Sequence, residues 1–164
     1  MGMTLFRAIA TLSLAAPLSC SPSPQWSLDD SSAARERLAT TKSLKCEFDL
    51  GTSAEWKEGQ LRVASAKFGL KGEKGVFHFD SIDTEAGTAR FIANAGASDV
   101  EAILDPVGLT FLEKPGLMGG LVITTVYARD LGDQRFPAVF SKHVAVFGLV
   151  PFPQQYYGYC SIWE

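Results

Sequence analysis

The chain predicts an all-β domain: an antiparallel meander of eight to ten strands, forming a small barrel or strongly curved sheet behind a short N-terminal helix. Three observations predict it. From Ser43 onward apolar and polar residues alternate with a period of two, the strands so marked are short and joined by tight turns, and Cys46 and Cys160 fall in the first and last of them. Period-two patterning sets one strand face in a core and the other in water. A bridge from the first strand to the last would place those two strands side by side, as closure of an up-and-down barrel requires, and closure removes exposed edges. A β-sandwich is the alternative.

A segment of another kind precedes the domain. Arg7 is the only charge before Asp29, and Ala8 to Leu18 is an apolar run of eleven residues. That is short of the roughly 20 residues a membrane-spanning helix needs and fits the roughly 7–15 of a signal-peptide apolar region. Pro17-Leu18-Ser19-Cys20 resembles a bacterial lipobox, whose Cys becomes the lipidated mature N-terminus, although Pro17 stands where that motif carries an aliphatic residue. Ser21-Pro22-Ser23-Pro24-Gln25 is the extended spacer that a lipid anchor uses. The expected division is a signal peptide over 1–19, a Ser/Pro tether over 20–26 and one β-domain over 27–164. Cys20 is the expected lipidation site; an ordinary secretory signal cut nearby and a retained anchor are the alternatives.

Within the domain, Ser27-Leu28-Asp29-Asp30-Ser31 reads as a helix start with acids in its first turn, continued by Ala33 to Ala39. Its apolar stripe is thin (Leu28, Ala34, Leu38), which suits a helix lying on the domain or plugging one end. Leu44, Cys46, Phe48 and Leu50 alternate with Lys45, Glu47 and Asp49 until Gly51 ends the strand. Ala54 and Trp56 lead through the turn Glu58-Gly59 to Leu61 and Val63. Gly69, Gly72 and Gly75 mark a loop before the strand Val76–Ile82. Thr84-Glu85-Ala86-Gly87 turns into Thr88–Asn94, with Ala89, Phe91 and Ala93 on one side. Val100–Leu104 and Leu109–Glu113 flank the turn Asp105-Pro106-Val107-Gly108. A glycine-rich hairpin loop, Lys114–Gly120, precedes Leu121–Ala128, whose Val, Ile, Thr and Tyr suit a half-buried pleat. Asp130-Leu131-Gly132-Asp133 turns the chain into Arg135–Phe147, and a loop at Pro151-Phe152-Pro153 precedes the last strand, Tyr156–Trp163.

Composition narrows the function classes. The chain carries 15 Lys and Arg against 18 Asp and Glu, a formal net charge of −3, with no dense basic patch, so nucleic acid is not an expected partner. In an oxidising compartment Cys46 and Cys160 are expected to pair, and closing a loop of about 100 residues is worth about 4.7 kcal/mol in the chain-entropy account. Zinc is a poor alternative: there is no Cys-x-x-Cys, and only His78 and His143 could join. No cofactor is expected.

Lys45-Cys46-Glu47-Phe48, Gly51-Thr52 with Trp56, Phe79-Asp80-Ser81-Ile82-Asp83, Gly87-Thr88-Ala89-Arg90, and Phe152-Pro153-Gln154-Gln155-Tyr156 with Gly158 and Cys160 form a further set. It is similar to one shared by an uncharacterised family of exported bacterial β-rich proteins. The similarity spans most of 42–164. It implies a single exported domain and brings neither catalytic residues nor a ligand.

Catalytic motifs are weak. No Gly-x-Ser-x-Gly elbow is present, Ser141 and His143 share one strand face, and His78 stands beside Asp80 on a polar face. Carboxylate pairs occur at Asp80 with Asp83 and at Asp99 with Glu101, the latter about 7 Å apart on one strand face. The aromatic stretch stands out more: Phe152, Tyr156 and Tyr157, followed by Tyr159 and Trp163, combine apolar area with polar tips, as binding surfaces do. The expected protein is therefore a lipid-anchored envelope protein facing the periplasm or cell exterior, or a soluble exported one. Its expected work is non-enzymatic binding of a small apolar ligand, with Phe152, Tyr156 and Tyr157 as candidate contacts. An envelope protein–protein interaction module is the alternative, and a hydrolase comes third.

Overall fold

Alternating patterns produce strands along nearly all of the chain after residue 43. The computed structural model describes residues 28–69, 73–114, 120–146 and 150–163. The expected signal segment, Cys20, the tether and Ser27 lie outside the described residues, as does 115–119 of the glycine-rich loop. The helix α1 (Leu28–Thr40) is followed by β1 (Leu44–Lys57), β2 (Gln60–Lys67), β3 (Gly75–Asp83), β4 (Thr88–Ala93) and β5 (Gly96–Leu104). Then come β6 (Gly108–Glu113), β7 (Leu121–Tyr127), β8 (Arg135–His143), the short pair β9 (Ala145–Val146) and β10 (Val150–Pro151), and β11 (Gln154–Ile162).

Strands β1, β3, β4, β5, β6, β7, β8 and β11 pair in that order, all antiparallel, and β11 returns to β1 to close an eight-stranded barrel. β2 adds an extra strand by pairing with the second half of β1. At the closure seam Cys46 is the direct partner of Cys160, their Cα atoms 3.9 Å apart and their sulfurs at disulfide distance. Gly158 lies next along the seam. A Cβ there would collide with the Glu47 carbonyl oxygen, so only glycine lets the two strands approach this closely.

Every second side chain points inward and the barrel fills with rings. Phe48, Phe79, Phe111 and Phe136 are fully buried, and Phe79 stacks on Phe111 with centroids 3.8 Å apart. Phe77 packs on Phe48 and Phe140 at 5.8 and 4.9 Å. Antiparallel connection places the β3–β4, β5–β6 and β7–β8 turns at one end, and α1 lies across it. Ala34 and Leu38 are fully buried there, the whole of the apolar stripe that the described side chains show. Arg35 Nε donates to the Asp105 carbonyl at 3.0 Å, Thr84 Oγ1 donates to the Ala39 carbonyl at 3.0 Å, and Arg37 pairs with Asp130 at 2.6 Å. The helix is thus a plug tied to three turns. Among the described residues no helix is long and apolar enough to cross a membrane.

Three sequence expectations change. β1 does not end at Gly51: it runs on to Lys57, and its register with β11 shifts between Phe48 and Gly51. That bulge reverses which residues face inward, so Leu50, expected on the buried face, is 60% exposed. Trp56, Leu61 and Val63 consequently lie on the outer face of the β1–β2 hairpin, exposed. Arg135–Phe147 is not one strand, because β8 ends at His143 and the chain folds into the β9–β10 pair.

The seam yields a prediction. Reduction, or Cys160→Ala, lowers the unfolding free energy by about 2–5 kcal/mol, measured by urea denaturation with and without reductant. Unchanged midpoints, with both thiols labelled in unreduced unfolded protein, would show the pair unbridged.

Candidate functional site

The expected aromatic contacts divide between two faces. Strand alternation sends neighbours to opposite faces, so Tyr156 points into the barrel, 4% exposed, and Tyr157 points out, 48% exposed. Tyr156 packs on Phe68 at 4.8 Å, and burial raises its phenol above the ordinary value. Tyr157 Oη donates to Gln155 Oε1 at 2.9 Å. Phe152 is half-buried before β11, its N–H donating to the Val144 carbonyl at 2.8 Å.

The other candidates are engaged elsewhere. His78 lies on the outer face against the Trp163 ring at 4.2 Å, and His143 is exposed. Ser141 and His143 line a shallow outer groove of about 260 Å³ with Thr52 and Gln154. There Ser141 Oγ accepts from Gln155 Nε2 at 3.3 Å, and among the described residues no hydrogen bond joins Ser141 to His143. Arg90 stands opposite Asp99 in the strand register, and Glu101 pairs with Lys114 at 3.4 Å, so a neighbouring cation engages Glu101 of this pair. Asp83 accepts from the backbone N–H groups of Ala86 and Glu85 at 2.9 and 3.0 Å, which holds its carboxyl below the ordinary value against a small burial cost. Among the described residues no group of three or more His, Cys, Asp or Glu could hold a metal.

An aromatic-walled cavity sits at the barrel end remote from α1. It has a volume of about 410 Å³, and its walls include Phe68, Phe77, Phe91, Val122 and Phe140. Phe68 follows β2; its N–H donates to the Asp49 carbonyl at 2.8 Å, and its ring folds over Gly75, where any Cβ would overlap it. Beneath the mouth, among Phe79, Phe91, Phe111 and Thr124, only a void of about 10 Å³ remains. The described interior is therefore packed below and open above.

Charged groups enter this apolar mouth. Lys142 follows Phe136, Ala138 and Phe140 on the inward face of β8, and its Nζ lies 5.5 Å from the Phe68 centroid and 5.4 Å from that of Phe140. Such contacts attract a cation to a ring face. Burial pushes the Lys142 amine below its ordinary value, and the charge of Glu113 opposes that shift. Register places Glu113, Val122 and Lys142 in one row across β6, β7 and β8, with Glu113 also lining the cavity. Lys142 and Glu113 were not among the sequence candidates. Their signal was parity: each sits where its strand's alternation calls for an apolar residue.

Compared with known proteins, the chain matches no family model and no curated protein.

The placement of β11 makes a direct forecast. Tyr156→Ala costs about 3–5 kcal/mol of stability as a large core ring is lost, whereas Tyr157→Ala changes it by no more than about 0.5 kcal/mol. Thermal and urea melts of the two variants check this; equal losses would contradict the inward–outward assignment.

Proposed function

We propose that this chain is an exported, non-enzymatic binding protein that holds a small apolar molecule in the helix-distal mouth of its barrel. One observation carries the reading: a cavity of about 410 Å³ walled by aromatic and aliphatic side chains. Ligand pockets are of this kind, about 300–1,000 Å³, mostly apolar, with a few placed polar groups. Closure of the sheet makes the walls rigid, and the packed rings below give the cavity a floor. The aromatic stretch contributes through Tyr156, which supports Phe68 from behind, rather than through a Phe152–Tyr157 surface.

Docking of an envelope protein is the second reading. Trp56, Leu61 and Val63 form an outward apolar stripe on the β1–β2 hairpin, Val63 being 66% exposed, and β2 pairs on one side only. A strand with a free edge can accept another strand.

Location completes the proposal. Cys20 becomes the acylated N-terminus, and the Ser/Pro tether holds the barrel off the membrane, a reading supported by the apolar run Ala8–Leu18, by Ser19 before Cys20 and by the tether itself. Several acyl chains anchor firmly where one binds only marginally.

Two experiments test these statements. Ala93 is a half-buried wall residue of the mouth, so Ala93→Trp fills the cavity from its wall. The neutral dye N-phenyl-1-naphthylamine should fluoresce on binding wild type and lose at least about tenfold in affinity with Ala93→Trp, while the melting temperature stays within a few degrees. Equal binding by both proteins would place the dye elsewhere and refute the mouth. Separately, Cys20→Ala should move the protein from the membrane fraction to the soluble one; an unmodified N-terminus in soluble wild type would overturn the anchor.

A further inference from the structure

We propose that the molecule held in the mouth is an amphiphile with a carboxylate headgroup, seated on the Lys142 ammonium with its chain against Phe77, Phe91, Val122 and Phe140. This rests on the mouth being a binding site, and it adds the chemistry of the ligand.

Lys142 lies on the inward face of β8, in line with Phe136, Ala138 and Phe140, where packing alone would favour another apolar side chain. Its ammonium rests against two ring faces, at 5.5 and 5.4 Å from their centroids. Among the described residues no carboxylate oxygen lies within 4.0 Å of it. Taking a cation out of water costs free energy unless an anion accompanies it. An anionic headgroup entering from solvent would lower that cost while its chain fills the apolar space below. A neutral ligand would leave the ammonium as it is, and a cationic one would add repulsion.

The remaining charges of the mouth fit the same orientation. Lys74 also lines it and is held only loosely, at 4.0 Å from Glu47. Glu73 is an exposed residue on the wall. Glu113 stands across Val122 from Lys142 and reaches the small void beneath the mouth. Repulsion from Glu113 would stop a carboxylate from sliding deeper and keep it at the level of Lys142. Its charge therefore weakens anion binding overall while setting the depth of the headgroup.

The test compares three ligands of one chain length on the full chain: decanoate, decanol and decyltrimethylammonium, each displacing N-phenyl-1-naphthylamine at neutral pH below its aggregation concentration. Decanoate should displace the dye at about one-tenth the concentration of decanol, the gain from one charge-assisted hydrogen bond, and the cation should be weakest. Lys142→Met should bring decanoate and decanol to the same displacing concentration, and should melt no lower than wild type because it removes a desolvated charge. Glu113→Gln should tighten decanoate alone. Decanol matching decanoate, or the cation binding best, would overturn the carboxylate assignment and leave the mouth standing. Displacement by none of the three, with no dye bound, would remove the mouth itself.

Discussion

Closure of the sheet between β1 and β11 is the constraint on which the other features depend. A nine-stranded meander left open would expose two edges and one apolar face. Pairing Leu44–Ser53 with Gln154–Ile162 removes one edge, encloses the face and, among the described strands of the barrel sheet, leaves the outer edge of β2 unpaired. The seam is secured in two ways. Cys46 and Cys160 restrict the unfolded chain over a sequence separation of 114 residues. Gly158 lets the backbones approach where a side chain would hold them apart.

Once closed, the barrel must fill its interior, and its two ends are treated differently. At one end α1 covers the rings with Ala34 and Leu38, and its arginines reach Asp105 and Asp130 on separate turns. Burial alone would raise the Asp130 carboxyl. The Arg37 hydrogen bond and charge, with the Gly132 N–H, outweigh it and hold the group below its ordinary value. At the other end no helix covers the rings among the described residues. Phe68 folds partly across, Lys142 and Glu113 enter the wall, and a cavity remains. The asymmetry separates stability from binding: one end is packed and tied, while the other keeps apolar surface and charge where a ligand can reach them.

The strand order was legible because each step of the meander is local. Turns such as Thr84–Gly87 and Asp105–Gly108 join neighbours in sequence that are also neighbours in space, and Asp83 and Asp105 accept backbone N–H groups within those turns. The bulge after Phe48 was not legible. Nothing in Asp49-Leu50-Gly51 announces a register shift, which arises because β1 must leave β3 and begin pairing with β2 while still holding β11. The facing of the expected aromatic contacts was not legible for a related reason. Phe152, Tyr156 and Tyr157 are close in sequence, but a strand divides neighbours between two faces. The mouth instead collects residues from positions 68 to 142, of which Glu113 and Lys142 alone break the alternation of their strands.

By itself the sequence determined the all-β class, the short helix and its buried stripe, the turn positions and the pairing of first strand with last. These follow from period-two burial, turn chemistry and the placement of two cysteines, all of which act over short stretches or through one covalent link. Tertiary structure alone decided where the interior stops being full. That depends on how eight rows of inward side chains meet across the barrel, and on Phe68 leaning over Gly75 from outside the ladder. It also decided that Lys142 shares an apolar mouth with Phe68 and Phe140. One ring against that charge, Phe140, stands on its own strand, but the other, Phe68, comes from the segment after β2, so its desolvation depends on the closed barrel rather than on β8 alone.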